Sequence, residues 1–227
     1  MSTKNTLVIS GNGDIGTSIS DEFSKKSTVT SSTRSDLDLS SKDSVDNYLK
    51  SIVTIYDNVI FCAADNKLNY FESNDIERIQ KSFDINFMSF IKIVHYLITK
   101  NLLSKSSSIV LISSLYSRYG RVGRFPYSVS KHALQGVMKN LALELSQYDI
   151  RVNSITPGFI DTKLTRNNLS KEDIVKLETR IPLKRLGNVK DISNMALYLC
   201  SEKASYLTGQ DITIDGGFIA GGFFENN

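Results

Sequence analysis

Ser114, Tyr127 and Lys131 are the side chains whose types and spacing could carry chemistry. Tyr127 and Lys131 stand four positions apart, and in a helix this spacing would place the lysine ammonium beside the phenol. A free tyrosine has a pKa of about 10, and a neighbouring cation favours the phenolate and lowers that value. The pair therefore predicts a tyrosine that exchanges protons near neutral pH, with Ser114 hydrogen-bonded to a substrate oxygen. An amphipathic helix with a solvated lysine has the same spacing, so the surrounding elements must decide.

Short apolar segments alternate with amphipathic ones along the 227-residue chain. Strands are predicted at residues 6–10, 27–33, 58–64, 108–114, 151–156 and 211–215. Helices are predicted at residues 15–25, 43–53, 75–100 with a break near Asp84, 127–146 and 189–200, with a helical lid over the substrate at 161–181. The apolar stripe of the helix at 127–146 is predicted to comprise Val129, Ala133, Leu134, Val137, Leu141 and Leu145. The alternation is typical of an α/β, three-layer Rossmann fold, a doubly wound parallel sheet with helices on both faces, in one domain over residues 1–227.

Composition and charge exclude several classes of function. The net charge of +3 is too small to indicate nucleic-acid binding, and no stretch of the sequence has the length and apolarity of a membrane span. The N-terminal residues lack a signal-peptide cleavage pattern, and Cys62 and Cys200 lie far apart in apolar surroundings, which predicts buried thiols in a reducing cytoplasm. His95 and His132 have no ligand-like spacing, so no metal site is expected.

A glycine-rich turn joins the first predicted strand to the first predicted helix. It reads G-x-G-x-x-G and consists of Gly11, Asn12, Gly13, Asp14, Ile15 and Gly16. Between a strand and a helix, this pattern predicts that the backbone approaches a dinucleotide pyrophosphate at the helix N-terminus. The alternative is a turn with a purely structural role.

The end of the second predicted strand indicates which dinucleotide would bind. NAD-binding sheets carry an acidic residue there for the ribose hydroxyls. Here the segment from Thr30 to Arg34 contains no acid, and the first one is Asp36. A guanidinium and hydroxyls favour a 2′-phosphate, so Arg34, with Ser32 or Thr33, predicts NADP(H) in preference to NAD(H). A solvated arginine at a strand end is the alternative.

With these elements in order, the chain resembles the short-chain dehydrogenase/reductase family, and within it the 3-oxoacyl carrier-protein reductase-like members. The resemblance covers nearly the whole chain and is most specific at Ser114, at residues 127–131 and 151–158, and in the closing segment 207–217. It implies that Tyr127 is the general acid/base, that Lys131 binds the nicotinamide ribose and lowers the Tyr127 pKa, and that Ser114 orients the substrate carbonyl. It further implies that Asn86 supports a proton-relay water.

The resemblance also assigns contacts to the cofactor. Thr162 matches a contact to the nicotinamide carboxamide, and Asp38 matches a contact to the adenine amine. The remaining positions implied to line the cofactor are Leu39, Ala63, Pro157, Gly158 and Ile160. Each assignment has a structural alternative: Asn86 as a helix-bend residue, Asp38 as a cap or loop charge, and Thr162 as a helix N-cap.

Three departures from the family pattern stand out. The glycine loop is one residue short, and residues 61–64 read Phe-Cys-Ala-Ala in place of Asn-Asn-Ala-Gly. Only three residues separate Arg34 from Asp38, whereas a parallel crossover needs about a dozen. Either the third strand of the family is missing, or residues 36–39 run irregularly along the sheet edge.

The sequence indicates the reaction more clearly than the substrate. We expect reduction of a ketone, keto-sugar or 3-oxoacyl group to a secondary alcohol, with NAD-dependent alcohol oxidation or an inactive nucleotide-binding regulator as alternatives. Arg118, Arg121 and Arg124 precede Tyr127 and suggest an anionic substrate, although a solvated or subunit-facing loop would look the same. The resemblance implies a homotetramer or homodimer that pairs helices 85–100 and 127–146, with the apolar tail at 218–224 buried against a partner subunit.

Overall fold

A computed structural model describes residues 3–221 of the chain. Six strands form one parallel sheet in the order β2-β1-β3-β4-β5-β6. The strands are β1 (Lys4–Ile9), β2 (Ser27–Ser31), β3 (Tyr56–Phe61), β4 (Leu103–Ile112), β5 (Arg151–Pro157) and β6 (Asp211–Ile214). This confirms the predicted parallel α/β sheet.

Helices cover both faces of the sheet. They are α1 (Asp14–Ser24), α2 (Lys42–Ser51), α3 (Ile76–Phe83), α4 (Ser89–Thr99), α5 (Phe125–Glu144), α6 (Lys163–Asn168), α7 (Lys171–Arg180), α8 (Val189–Leu199) and α9 (Phe218–Gly221). A strand sends alternate side chains to opposite faces. Leu7 and Ile9 of β1 accordingly pack in the core formed with α2, α4 and α5, whereas Val8 packs in the core formed with α1 and α8. The sheet is therefore doubly wound, as predicted.

The predicted break near Asp84 is a π-helical turn, Asp84–Met88, between α3 and α4. Such turns are rare and often lie at functional sites. The segment predicted to form a helical lid is helical, as the separate helices α6 and α7, and its role as a lid stays a prediction.

The buried stripe of α5 differs from the predicted one. Val129 is 39% exposed, and the residues facing the core are Tyr127, Lys131, Leu134, Met138, Ala142 and, just after the helix, Leu145. Tyr127 and Lys131 occupy the inward face themselves, which turns Val129 outward. The prediction was wrong at Val129 because it assumed that only apolar side chains face the core on this helix.

The third strand of the family pattern is missing. Residues 32–41 lead from β2 directly into α2 without a strand, and β2 forms the edge of the sheet. Leu37 and Leu39 are buried in the core below α2 and α4. The irregular segment therefore closes the core that a further strand and helix would otherwise cover.

Phe218 packs within its own chain. Its ring centroid lies 5.0 Å from that of Phe159, and its side chain is buried. The expectation that Phe218 is buried against a partner subunit is therefore wrong. Phe223 and Phe224, which belong to the same predicted tail, lie outside the described residues. Both cysteines are free: Cys200 is buried, as predicted, and Cys62 is half-buried.

Residues 3–221 contain neither a helix that could cross a membrane nor a cluster of metal ligands. None of the helices there combines the length and apolarity that crossing a bilayer demands. No group of three or more His, Cys, Asp and Glu side chains in that range could hold a metal ion.

Candidate active site

The predicted site residues meet at the carboxyl edge of the sheet, where parallel α/β sheets bind ligands. The glycine turn follows β1, Ala63 follows β3, Ser114 follows β4, and Gly158 follows β5. Two adjoining depressions open along this edge. The first, the glycine-loop groove, has a volume of about 430 Å³, and the second, the catalytic cavity, has a volume of about 310 Å³.

Tyr127 and Lys131 lie side by side in the first turns of α5, and both are almost fully buried. The Lys131 Nζ lies 5.7 Å from the centroid of the Tyr127 ring. It donates hydrogen bonds to the backbone oxygens of Ile112, at 2.9 Å, and Ala63, at 3.4 Å. The ammonium is thereby tied to the ends of β4 and β3, with one donor remaining for a ligand.

Burial dominates the electrostatics of this pair. It lowers the pKa of Lys131 to about 8. Burial also raises the pKa of Tyr127 above its usual value, while a hydrogen bond with Ser114 acts in the opposite direction. The expectation that Lys131 lowers the Tyr127 pKa is therefore wrong in this structure, because desolvation of the phenolate outweighs nearby charge. At neutral pH the phenol keeps its proton and can donate it.

Ser114 is positioned by a short turn after β4. Its hydroxyl accepts a hydrogen bond from the backbone N–H of Tyr116, at 3.2 Å. The Tyr116 ring packs edge-on against the Tyr127 ring, with centroids 6.1 Å apart. The cavity thus brings Ser114, Tyr127 and Lys131 together, as the sequence predicts.

Asn86 lies in the π-helical turn and is fully buried. Its Oδ1 accepts from the Asp65 N–H at 2.6 Å, and its Nδ2 donates to the Asp65 carbonyl at 3.1 Å and to Ser130 Oγ at 3.0 Å. The amide therefore ties the segment after β3 to α5, one residue before Lys131. The helix-bend alternative has Asn86 satisfying the backbone of its own helix, but its amide instead bonds the backbone of Asp65 and the hydroxyls of Ser130 and, at 3.4 Å, Ser82.

The glycine-loop groove collects most of the predicted cofactor-binding residues. Those that line it are Asn12, Gly13, Asp14, Ile15, Gly16, Arg34, Asp38, Leu39, Ala63 and Thr162. Gly11 stands apart, because a Cβ there would meet Ser31 Oγ at 1.9 Å. Gly11 therefore packs against Ser31 of β2 and does not line the groove.

Gly13 leaves the backbone of the groove open to a ligand. Its φ of −76° and ψ of 160° are available to any residue, and a Cβ there meets no atom within 4 Å. The fold itself therefore does not demand glycine at this position, whereas a pyrophosphate that approaches the backbone does. Gly13 is also the N-cap of α1 and offers no side-chain cap, which leaves the first amides of the helix available to an anion.

The hydroxyls predicted to assist Arg34 are engaged elsewhere. Ser32 is buried and its Oγ accepts from the Ser10 N–H at 3.2 Å, and Thr33 donates to the Asp36 carboxylate at 2.7 Å. The predicted help from Ser32 is therefore wrong, because its hydroxyl is buried and binds the backbone N–H of Ser10, the residue after β1. Arg34 is exposed and lines the groove.

Asp38 is held by local hydrogen bonds. Its carboxylate accepts from the N–H and hydroxyl of Ser40 at 2.9 and 2.7 Å, and these bonds, aided by the charge of Arg34, lower the Asp38 pKa. The loop-cap alternative therefore holds, and the carboxylate still lines the groove.

The segment after β5 closes the catalytic cavity, which is lined by Pro157, Gly158, Ile160 and Thr162. A Cβ at Gly158 would lie 2.6 Å from Asp215 Cα, so this glycine also permits the close approach of the chain after β6. The Thr162 hydroxyl caps α6 by accepting from the Thr165 N–H at 3.1 Å, as the N-cap alternative predicts.

The three arginines before Tyr127 separate into two groups. Arg118 forms an ion pair with Asp211 at 2.5 Å, whereas Arg121 and Arg124 line the catalytic cavity. Asn66 lines it too and binds Arg124, and the sequence carries no signal for this role. Its position depends on how the loop after β3 folds onto the loop before α5.

Fold and site together define an α/β oxidoreductase with a dinucleotide groove leading into a buried Ser–Tyr–Lys group. The sequence model of the family described as enoyl-(acyl carrier protein) reductase matches residues 6–219. The chain belongs to the short-chain dehydrogenase/reductase family.

Individual relatives agree with this membership. The 3-oxoacyl-(acyl-carrier-protein) reductase FabG of Buchnera aphidicola subsp. Schizaphis graminum is 37% identical over 187 residues, which are 80% of this chain and 75% of the relative. The solved structure of a short chain dehydrogenase family protein from Francisella tularensis subsp. tularensis SCHU S4 superposes with a TM-score of 0.88 at 28% identity, covering 96% of this chain and 100% of that chain. The structure of 4-hydroxyisoleucine dehydrogenase complexed with NADH superposes with a TM-score of 0.86 at 25% identity, with coverages of 96% and 100%.

Proposed function

We propose that this oxidoreductase reduces a carbonyl compound to a secondary alcohol with a nicotinamide cofactor. The observation that carries the proposal is the buried Tyr127 phenol, which burial keeps protonated at the junction of the groove and the cavity. A protonated phenol can supply the proton that a reduced carbonyl oxygen requires. The reductase activity in the name of the Buchnera relative agrees with this direction.

Each residue of the site has a defined part in the proposal. A nicotinamide bound in the groove would supply the hydride for the carbonyl carbon. Tyr127 donates its proton to the carbonyl oxygen, and Ser114 holds that oxygen by a hydrogen bond. Lys131 is anchored to the ends of β4 and β3, and its remaining N–H would bind the nicotinamide ribose beside the phenol. Asn86 positions the segment after β3 against α5 and thereby fixes the carbonyl that anchors Lys131.

The cofactor is proposed to be NADP(H) in preference to NAD(H). Arg34 lines the groove and has no ion pair within residues 3–221, so its guanidinium is available to a 2′-phosphate. Asp38 lines the same groove and would contact the adenine amine. The relative 4-hydroxyisoleucine dehydrogenase was solved with NADH, so the choice depends on Arg34 and not on the family.

Titration of the purified protein with NADPH and with NADH, followed by nicotinamide fluorescence, tests the cofactor. NADPH oxidation in the presence of a panel of small ketones then tests the reaction. Tighter binding of NADPH together with turnover of at least one ketone is the expected result. Binding of neither nucleotide would support the inactive-regulator alternative, and turnover only of alcohols with NAD would support the oxidative one.

We also propose that two copies of the chain pair through α5, as the family resemblance implies. The outward side of this helix carries Val129 and Leu143, which are 39% and 76% exposed. Apolar side chains on a helix face of this kind are stabilised by burial against a second copy. Sedimentation velocity should show a dimer or tetramer, and a monomer would contradict the pairing.

A further inference from the structure

Arg121 and Arg124 bring uncompensated positive charge to the catalytic cavity. The lining contains a third cation, Lys131, and no aspartate or glutamate. Neither arginine forms an ion pair with a carboxylate in the described part of the chain, whereas the neighbouring Arg118 pairs with Asp211. A cavity lined by one sign of charge favours a ligand of the opposite sign.

Arg124 gives the strongest indication of an anionic ligand because its side chain is buried, with only 8% of the residue exposed. Its Nη1 donates to the backbone and side-chain oxygens of Asn66, both of which are neutral acceptors. Its Nε–H is buried without any hydrogen-bond partner. Burying a guanidinium without a carboxylate is unfavourable, so an anion entering the cavity would supply what the fold leaves out.

Two loops hold Arg124 in place before any ligand arrives. The Asn69 N–H donates to the Gly123 carbonyl at 2.9 Å and joins the loop after β3 to the loop before α5. Gly123 has a φ of +74°, and a Cβ there would meet Leu68 Cδ1 at 2.8 Å, so only glycine allows this contact. The guanidinium is therefore preorganised, which reduces the entropy lost when it binds a ligand.

Arg124 also stands next to the reacting groups. It is the N-cap residue of α5, and Tyr127 follows three positions later in the first turn. Both residues line the catalytic cavity. The charge of Arg124 acts on the Tyr127 phenol and is among the causes that lower its pKa against the larger effect of burial. One small substrate could therefore place an anionic group against Arg124 and its carbonyl against Tyr127, with only a few bonds between the two groups.

We propose that the substrate is a small keto acid, whose carboxylate binds Arg124 inside the cavity while Arg121 attracts it at the mouth. The inference rests on the proposed carbonyl reduction and adds the charge and size of the substrate. The volume of about 310 Å³ is at the small end of the range of ligand sites and suits a short chain. A charged carboxylate accepts stronger hydrogen bonds from a guanidinium than a neutral ester does.

The test compares acids with their own methyl esters, because the pair presents the same carbonyl with and without the charge. Initial rates of NADPH oxidation are measured with pyruvate, 3-oxobutanoate and 4-oxopentanoate and with the three methyl esters. In the wild-type protein, kcat/KM for at least one acid should exceed that for its ester by about tenfold or more. Equal values for acid and ester in all three pairs would overturn the inference without affecting the proposed reduction.

Matched arginine variants locate the effect. Arg124→Gln should bring the acid-to-ester ratio close to one, and Arg124→Lys, which keeps the charge, should retain part of the preference. Arg118→Gln serves as the control, because Arg118 pairs with Asp211 outside the cavity and should keep the wild-type ratio. The thermal midpoint and the NADPH affinity of each variant establish that it is folded. An unchanged ratio in folded Arg124→Gln would overturn the role of Arg124.

Failure of the inference can be separated from failure of the proposed function. If the wild-type protein turns over neither acids nor esters, the thermal midpoint of its complex with NADP⁺ is measured with and without 4-oxopentanoate. A rise that is lost in Arg124→Gln would retain the anion site, and the ketone panel then decides whether the protein reduces carbonyls. No rise and no turnover would overturn the anion site, and absence of turnover across the ketone panel would refute the reduction as well.

Discussion

Gly13 is the glycine of the turn whose replacement should affect a bound ligand and leave the fold intact. Its backbone conformation is open to alanine, and a Cβ there meets no atom within 4 Å. Restricting the unfolded chain by Gly→Ala stabilises by about 0.4–1 kcal/mol, whereas alanine is a poorer N-cap than glycine by about the same amount. We therefore expect Gly13→Ala to change the free energy of unfolding by less than about 1 kcal/mol.

The same methyl group should weaken cofactor binding. It would occupy the space through which a pyrophosphate approaches the start of α1, and overpacking of this kind costs about 1–3 kcal/mol. This corresponds to a Kd for NADPH that is about fivefold to 150-fold higher. Nicotinamide fluorescence gives the Kd, and urea unfolding without cofactor gives the stability.

Gly16→Ala is the matched control in the same turn. A Cβ at Gly16 would lie 2.7 Å from the Ser10 carbonyl oxygen and 2.8 Å from Gly11 Cα, both of which are backbone atoms that cannot easily move. This variant should lose about 1–3 kcal/mol of stability even without a ligand. A Gly13→Ala protein that binds NADPH as tightly as the wild type would refute the reasoning that the groove holds a dinucleotide.

Three further predictions concern the cofactor, the lysine and the asparagine. Arg34→Ala should raise the Kd for NADPH about tenfold or more and leave that for NADH nearly unchanged, measured by the same titration. Because burial lowers the Lys131 pKa from 10.5 to about 8, the unfolded chain binds the extra proton between those pH values, and stability rises with pH through that window. The difference in unfolding free energy between the wild type and Lys131→Met should therefore shift by about 3 kcal/mol in favour of the wild type as the pH rises from 7 to 10.5. Asn86→Ala should lose about 2–4 kcal/mol in urea unfolding, because the Asp65 and Ser130 partners become unsatisfied.

A different result would contradict each of these three predictions. Arg180→Ala removes an exposed arginine outside the groove and is the control for Arg34→Ala. An equal loss of NADPH and NADH affinity in Arg34→Ala would argue against a 2′-phosphate contact. Parallel pH profiles for the wild type and Lys131→Met would mean that the lysine has an ordinary pKa. A loss below about 1 kcal/mol in Asn86→Ala would mean that its hydrogen bonds do not hold the site.

The sheet could be predicted from the sequence because its central strands are buried on both faces and therefore read as continuous apolar runs. Leu7, Val8 and Ile9 are fully buried in this way. The start of β4 could not be predicted, since the strand begins at Leu103 and passes through a polar segment where its pairing with β3 shifts register. A local pattern does not reveal pairing with a strand that lies far away in the sequence.

The site could be predicted where short-range geometry decides it and could not where burial decides it. The spacing of Tyr127 and Lys131 determines their contact, so the sequence was sufficient. The direction of the Tyr127 pKa depends on desolvation by the surrounding chain, which spacing does not report. In the same way, the partner of Arg118 lies in β6, and only the folded chain distinguishes it from the cavity-lining Arg124.

The central claim is that Tyr127 donates the proton in a carbonyl reduction, and replacing its hydroxyl tests that most directly. The rate of NADPH oxidation is measured in single turnovers with the acid and the methyl ester that the wild type reduces fastest, in the wild type and in Tyr127→Phe. Removal of a general acid should slow both substrates by about a hundredfold or more, with NADPH affinity changed by only a few-fold. A Tyr127→Phe protein that reduces either substrate within tenfold of the wild-type rate would contradict the claim.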